Sequence, residues 1–270
     1  LAEWIGAPGN ALTWRVLANR LWQHHFGQGL VTTPSNFGFN GQRPSHPELL
    51  DHLADRFVKE GWSLKKMIRN IVLTDAYRRS SRAEPGADKI DPTNLCLSHQ
   101  NLRRLEGEAI RDSMLAISGR LDPKRFGPAV PVCLTSFQEG RGRPASGPLD
   151  GAGRRSVYLA VKRNFVSSFL LAFDTPTPFS TVGRRTVSNV PAQALILLND
   201  PFVHQQADVW AKRMSKTPED ERIDAMYRTA FARPASADEI AACRQYIATG
   251  GAWSGLAHVL FNAKEFVFLE

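Results

Sequence analysis

The sequence contains none of the short motifs that mark the common nucleotide, zinc and hydrolase sites. It has no G-x-x-x-x-G-K-[ST] phosphate loop, no G-x-G-x-x-G after a strand, no H-E-x-x-H and no G-x-S-x-G. It also has no C-x-x-C-H haem attachment and no paired zinc-ligand spacing. These absences argue against nucleotide-dependent enzymes and zinc proteases, and we expect the chain to carry no cofactor and no metal.

Cysteine is scarce, with Cys96, Cys133 and Cys243 far apart in the sequence. An odd and dispersed set predicts no disulfide framework. Two alternatives follow: one disulfide forms in an oxidising compartment, or all three cysteines are buried free thiols.

Long apolar runs are also missing. The most apolar stretch, residues 165–173, is about half of the ~20 residues that a transmembrane helix needs, and Asp174 follows it. We therefore expect no membrane span in this segment. The sequence starts at Leu1 without Met, a basic leader region or a cleavage site, so we interpret it as a segment of a longer protein.

Positive charge is in excess, with 34 Lys and Arg against 26 Asp and Glu, a formal net charge of +8 and a pI of about 9.7. A basic surface attracts anionic partners, which include acidic glycans, acidic proteins, anionic lipid headgroups and nucleic acid. The alternative is an ordinary solvated surface with an excess of one sign. The charge therefore gives the sign of a partner and leaves its class open.

Apolar residues recur at helical spacing along most of the chain, which predicts a mostly α fold with long irregular central loops and at most one or two short strands. Helices are predicted over 11–26, 47–61, 64–79, 105–120, 164–173, 191–198 and 201–214, and three more follow residue 217. The one strand is predicted over 156–161, where β-branched residues alternate with others. We divide the chain into a helical part, 1–138, a loop-rich connection, 139–190, and a helical part, 191–270, together forming one compact unit.

Several helix ends carry capping signals. Asn10 and Gly27 flank the first long helix, and Asp200 followed by Pro201 starts another. Ser45 with Glu48, and Ser236 with Glu239, match the S-x-x-E capping box.

Histidines and carboxylates on the predicted helices supply one set of candidate site residues. His25 lies near the end of the first long helix and His46 at the start of the next. Glu108 and Asp112 are four residues apart and share a helix face, an arrangement that acid–base or metal chemistry uses. Each has a structural alternative: His25 interacts with the helix C-terminus, and neighbouring arginines pair with the carboxylates.

Arginines on irregular segments supply the main candidates for binding. Arg184 and Arg185 follow a Pro-rich loop that begins at Asp174, and their guanidinium groups suit a carboxylate, sulfate or phosphate ligand. The arginine-rich loop before them adds Arg154 and Arg155. In the alternative interpretation, Arg184 or Arg185 pairs with Asp174 and fixes the loop.

Three segments near the start carry a family resemblance: 19–31 (NRLWQHHFGQGLV), 33–38 (TPSNFG) and 44–51 (PSHPELLD). They closely resemble the Planctomycete- and Solibacter-specific domain of unknown function. The resemblance continues in order through 61–63, 77–78, 103–106, 109–112, 154–158, 173–174, 183–185, 193–195, 198–199, 231–234 and 262–266.

The resemblance implies an exported, periplasmic or secreted module, usually the C-terminal part of a long protein whose upstream domains often include a cytochrome-c-like one. It implies no established catalytic residues. We expect the module to bind an anionic partner, first of all an acidic or sulfated polysaccharide. The alternatives are part of an enzyme, either polysaccharide-acting or a haem-partnered oxidoreductase, with its site near Asp174, Arg184 and Arg185, or a structural domain that docks the upstream domains.

Overall fold

The computed structural model describes residues 1–179 and 181–269 and divides the chain into two compact units. Unit 1 comprises residues 1–103 and 182–184, and unit 2 comprises 104–179, 181 and 185–269. The boundary after residue 103 lies inside the part that the sequence suggested as N-terminal, 1–138. Ser180, in the predicted loop-rich connection, and Glu270, at the end of the predicted C-terminal part, lie outside the described residues.

The mostly α fold class is confirmed, since about 51% of the structure is helical. Helices of unit 1 are α1 (Ala2–Gly6), α2 (Ala11–Phe26), α3 (Pro47–Lys59), α4 (Leu64–Val72), α5 (Asp75–Arg78) and α6 (Ala87–Ile90). Helices of unit 2 are α7 (Gly107–Ser118), α8 (Ser168–Ala172), α9 (Pro191–Asn199), α10 (Pro201–Met214), α11 (Glu219–Phe231), α12 (Ala237–Ala248), α13 (Trp253–Asn262) and α14 (Lys264–Val267). Two short strands, β1 (Arg103–Arg104) and β2 (Phe268–Leu269), form one small sheet.

The core of unit 1 lies between α2 and α3. Trp22 and Phe26 of α2 stack with ring centroids 4.1 Å apart, and Leu53 and Phe57 of α3 are buried in the same cluster. Asn19, fully buried, donates to Val31 O at 3.0 Å and accepts from Val31 N at 2.8 Å, which fixes the loop after α2 against the helix.

The core of unit 2 is built around α10, which packs against α7 and α13. Trp210 of α10 is fully buried and stacks on Phe261 of α13, with ring centroids 5.0 Å apart. The predicted starts of α10 and α12 are confirmed: Asp200 accepts from Phe202 N, and Ser236 with Glu239 forms a complete capping box.

The capping box predicted at Ser45 is wrong. Helix α3 begins at Pro47 with His46 as its N-cap, and no side chain caps it. Ser45 instead lies outside the helix: its N–H donates to Leu30 O at 2.9 Å, and its hydroxyl lies 3.0 Å from Nδ1 of His46.

The single helix predicted over 64–79 is also wrong. Helix α4 ends at Val72, and α5 starts afresh because Thr74 accepts from Tyr77 N. Met67 and Ile71 are the buried residues of α4, whereas Leu64 and Ile68 are exposed. All four are apolar, so composition alone does not tell which side faces the core.

The strand predicted over 156–161 is a 3-10 turn at Ser156–Tyr158, after a similar turn at Gly151–Gly153. Ser156 N donates to Asp112 Oδ1 at 2.7 Å, a bond that draws this backbone toward α7. Leu159 alone takes part in an isolated bridge, with Val130.

All three cysteines are free thiols, and only Cys243 is buried, while Cys133 is half-buried and Cys96 is exposed. No helix among the described residues is long and apolar enough to span a bilayer.

Candidate functional site

Charged and polar side chains gather around the start of α7 in unit 2. Arg104 precedes the helix, Glu108 lies in its first turn and Asp174 follows α8. Arg185 and Ser188 belong to the segment that leads into α9. We call these five residues the polar cluster.

Asp174 is hydrogen-bonded on both carboxylate oxygens. Arg104 Nη2 and Ser188 N donate to Oδ2 at 2.6 and 2.8 Å, and Ser188 Oγ donates to Oδ1 at 2.8 Å. Gln193 Nε2 in turn donates to the carbonyl and hydroxyl oxygens of Ser188. The backbone of Asp174 is left-handed, with φ +60°, a conformation that Asp and Asn tolerate better than most residues. Asp174 therefore joins the residue before α7 to the residues before α9.

Arg104 is a buried cation, with its side chain only 4% exposed. Burial lowers the pKa of Arg104, and the nearby Asp174 carboxylate opposes that shift. The guanidinium carbon lies 5.3 Å from the Phe173 ring centroid, and Nε and Nη1 are buried with no hydrogen-bond acceptor among the described residues. Phe173 also touches the start of α7, since a Cβ on Gly107 would lie 2.8 Å from its Cβ. The Arg104–Asp174 ion pair is therefore enclosed by protein atoms and is suited to stabilising the fold.

Glu108 and Arg185 form a two-bond ion pair. Arg185 Nη1 lies 2.7 Å from Glu108 Oε2, and Nη2 lies 3.0 Å from Oε1. Burial would raise the pKa of Glu108, but the hydrogen bonds and charge of Arg185 outweigh it, so the pKa lies below its usual value. Glu108 is therefore ionised at neutral pH and does not serve as a general acid in this arrangement.

Arg184 and Arg185, which the sequence suggested as joint ligands of one anion, have different surroundings in the structure. Arg185 has its guanidinium on Glu108, with Glu106 3.4 Å away. Arg184 belongs to unit 1, is exposed, and makes no hydrogen bond or ion pair with the described part of the chain. The partner of Asp174 is Arg104, not either arginine that the sequence suggested.

A second group of charged residues holds the loop segment 150–156 of unit 2 against α7. Arg111 is buried; its Nη1 donates to Arg154 O and Ser156 Oγ, and its Nη2 donates to Asp150 O. Arg154 is buried as well, donates to Phe126 O at 2.7 Å, and lies over the Tyr158 ring.

The remaining members of this second group are less enclosed. Asp112 accepts from the backbone and hydroxyl of Ser156 and lies 3.6 Å from Arg155 Nε. The Arg155 side chain is more than half exposed, so of the two loop arginines only Arg155 reaches solvent.

The two candidate histidines lie in unit 1. The ring Nδ1 of His25 is 2.6 Å from Leu21 O, one turn earlier in α2, and its ring meets Tyr77 edge-on at 6.0 Å. These contacts account for His25 as a structural residue near the helix end. His46 borders a small pocket between α2 and residues 93–101 of the same unit.

Unit 1 also presents a run of cations that matches none of the known sequence motifs. Six cations and one carboxylate lie between residues 63 and 82. We call the six the basic run: Lys65, Lys66, Arg69, Arg78, Arg79 and Arg82. All six are exposed, and none forms an ion pair with a carboxylate that the structure describes. The signal was in the sequence, as a local excess of one sign.

An exposed tryptophan, Trp62, lies three residues before the basic run. Trp62 is 47% exposed and has a left-handed backbone, with φ +56°, which is unusual for a bulky side chain. The backbone N–H of Trp62 donates to Phe57 O, and this bond closes the turn after α3. Its ring lies 6.1 Å from that of Trp14, and the exposed Leu64 and Ile68 follow it on α4. The turn thus holds an aromatic ring at the surface beside the cations.

No three His, Cys, Asp or Glu side chains among the residues described lie close enough to hold a metal ion.

Residues 1–247 match the family model described as PSD1, protein of unknown function (DUF1553). No curated protein and no solved structure matches the chain.

Proposed function

Because the chain belongs to this family of proteins of unknown function, we propose its role from its surface: it binds an anionic partner, and the basic run of unit 1 is the binding surface. An acidic or sulfated polysaccharide is the first candidate ligand. The observation that carries the proposal is the set of six exposed cations without ion-pair partners among the described residues.

The contrast with the arginines of unit 2 supports this choice. Arg104, Arg111, Arg154 and Arg185 are all engaged by carboxylates or backbone carbonyls of their own unit. A cation bound in this way has little to offer an external anion, whereas an exposed cation without a partner attracts anions over the screening distance of about 8 Å. Within the basic run, Arg79 alone is held in this way by a described residue, since its Nη1 donates to Leu97 O at 2.9 Å. The exposed ring of Trp62 adds an apolar surface beside the charges, which suits a polymer of sugar rings better than a small inorganic anion.

The polar cluster gives less support to the enzyme alternative. Both of its carboxylates are held by guanidinium groups, and the pKa of Glu108 is lowered rather than raised. We place the module in the periplasm or outside the cell, within a longer protein with upstream domains such as a cytochrome-c-like one. The resemblance of the 19–51 segments supports that placement.

The proposal is tested with dextran sulfate and uncharged dextran as probes. We expect binding to dextran sulfate alone, with affinity that falls as salt rises. The variant Lys65→Gln/Lys66→Gln/Arg69→Gln is expected to lose most of this affinity. Its matched control, Lys212→Gln/Lys216→Gln/Arg244→Gln, removes three exposed charges from unit 2 and is expected to bind nearly as the parent does. Equal loss in both variants, or tighter binding to duplex DNA, would contradict the proposal.

Docking of upstream domains is a second candidate because α9 exposes apolar side chains. Leu195 is 57% exposed, and Leu198 and the N-cap residue Val190 are also exposed. Hydrogen exchange in the isolated chain and in the longer protein tests it: amides of α9 should be slowed only in the longer protein. Equal exchange in both would exclude docking at this helix.

A further inference from the structure

A small pocket in unit 1 takes no part in the proposed anion binding. Its apolar wall contains Trp22, Phe26 and Leu30, and its rim contains Gln28, Thr32 and His46. Trp22 and Phe26 are stacked and almost fully buried, so they offer the pocket an edge rather than an open ring face.

The volume of the pocket, ≈ 40 Å³, limits what it holds. One water molecule needs at least about 10–15 Å³ on this scale, so the pocket takes about three waters or a group of similar size. Whole small-molecule ligands need pockets of about 300 Å³ or more. The pocket is therefore matched to one substituent of a larger ligand.

The chemistry of the lining is neutral. No Lys, Arg, Asp or Glu among the described residues lines the pocket. Gln28, Thr32 and Thr93 are exposed at the rim, and their side chains make no hydrogen bond to another described residue. The rim thus has amide and hydroxyl groups that both donate and accept hydrogen bonds, next to the apolar wall.

One wall of the pocket is held in a fixed, left-handed backbone conformation, which is costly for Leu97. Asn94 and Leu97 both have left-handed backbones, with φ +49° and +52°. Asp91 holds this turn by accepting from Leu95 N and Cys96 N at 2.9 and 2.7 Å, and Asn94 Nδ2 donates to His99 O at 2.7 Å. Strained backbone held by surrounding bonds is typical of preorganised ligand sites.

We propose that this pocket binds the acetamido group of an N-acetylated sugar. The methyl group lies against Trp22 and Phe26 of the apolar wall. The amide N–H and C=O form hydrogen bonds with rim groups, first of all with Gln28. An acetamido group is neutral, has one apolar end and one hydrogen-bonding end, and has the size that the pocket admits. A sulfate, phosphate or carboxylate meets no cation here.

The test compares tri-N-acetylchitotriose with cellotriose, a neutral trisaccharide that has hydroxyls in place of the acetamido groups. Binding is followed by NMR titration of the full chain. We expect shifts at the pocket residues with the acetylated sugar and none with cellotriose. Gln28→Ala should weaken binding about tenfold, the effect of one lost hydrogen bond. Gln42→Ala, an exposed glutamine outside the pocket, is the matched control and should bind as the parent does.

A second variant keeps the proposal falsifiable without the Gln28 bond. Thr93→Phe places a bulky ring on the exposed rim and should abolish binding while circular dichroism stays unchanged. Absence of binding to the acetylated sugar, equal binding to both sugars, or unchanged binding in both Gln28→Ala and Thr93→Phe would each overturn the proposal. The ligand is uncharged, so this result is independent of the basic run and of dextran sulfate binding.

Discussion

Arg185 binds Glu108 through both terminal nitrogens, at 2.7 and 3.0 Å, so a guanidinium group that the sequence offered to an external anion already holds a carboxylate of its own unit. The two side chains are 33% and 25% exposed. The pair is thus partly screened by water and contributes less than a fully buried one.

Replacing Arg185 with Gln should lower the free energy of unfolding by about 1–3 kcal/mol, because Glu108 keeps its charge and loses two charge-assisted hydrogen bonds. Urea unfolding measures the change. The neighbouring Arg184→Gln is the control, since Arg184 is exposed and makes no bond to a described residue; it should stay within about 0.5 kcal/mol of the parent. A larger loss in Arg184→Gln than in Arg185→Gln would contradict this assignment.

Asp174→Asn tests the buried pair with Arg104. Asn tolerates the left-handed backbone and keeps the side-chain shape, so the change mainly removes the charge. Leaving the Arg104 cation unpaired should cost about 3–5 kcal/mol of unfolding free energy.

The double variant Arg104→Met/Asp174→Asn gives the internal control for that experiment. It leaves neither charge of this buried pair, so it should be more stable than Asp174→Asn alone. Simple addition of the two single effects would show that the two side chains act independently.

The acidic limb of the stability profile should depend on Glu239. Hydrogen bonds from Arg233 lower the pKa of this carboxyl from 4.5 to about 2 in the folded chain, so the unfolded chain binds its proton first as the pH falls. Stability from this group is complete above pH 4.5 and is lost as the pH falls toward about 2. Melting temperatures across this range should fall less steeply in Glu239→Gln than in the parent; parallel curves would rule out this linkage.

Local signals in the sequence were enough to place several helix ends. Asn10 accepts from Thr13 N, and Gly27 adopts φ +82° at the end of α2, both as the residue types predict. Such ends are decided within a few residues, by a side-chain oxygen or by the absence of a Cβ.

The buried face of a helix and the partner of a charged side chain could not be predicted from the sequence, because both depend on the tertiary structure. Leu64, Met67, Ile68 and Ile71 are all apolar, and only packing in unit 1 selects Met67 and Ile71 for the core. Likewise the sequence singled out Asp174, Arg185 and Glu108, but neither Arg104 nor the pairing of Glu108 with Arg185. Arg104 is seventy residues from Asp174, and Glu108 is seventy-seven from Arg185. Residue type indicates that a charge needs a partner, and tertiary structure determines which one.

The last long helix gives a paired test of burial. Leu260 and Val259 are adjacent in α13, but Leu260 is in the core and Val259 is 60% exposed. Leu260→Ala should cost about 2–5 kcal/mol of unfolding free energy and Val259→Ala under about 0.5. Similar costs for the two variants in urea unfolding would show that the face of α13 is wrongly assigned.

Of the two capping boxes that the sequence suggested, the structure contains only the one at Ser236, and a stability measurement should show the difference. Ser236 accepts from Glu239 N at 3.3 Å and Glu239 accepts from Ser236 N at 2.7 Å, so Ser236→Ala removes half of a reciprocal cap on α12. The expected cost is about 1 kcal/mol, within the range of about 0.5–2 for N-cap serines. Ser45 precedes the N-cap of α3 and caps nothing, so Ser45→Ala should change stability by less than about 0.5 kcal/mol. Thermal unfolding of the two variants side by side decides the matter, since an equal loss would mean that Ser45 caps α3 in solution.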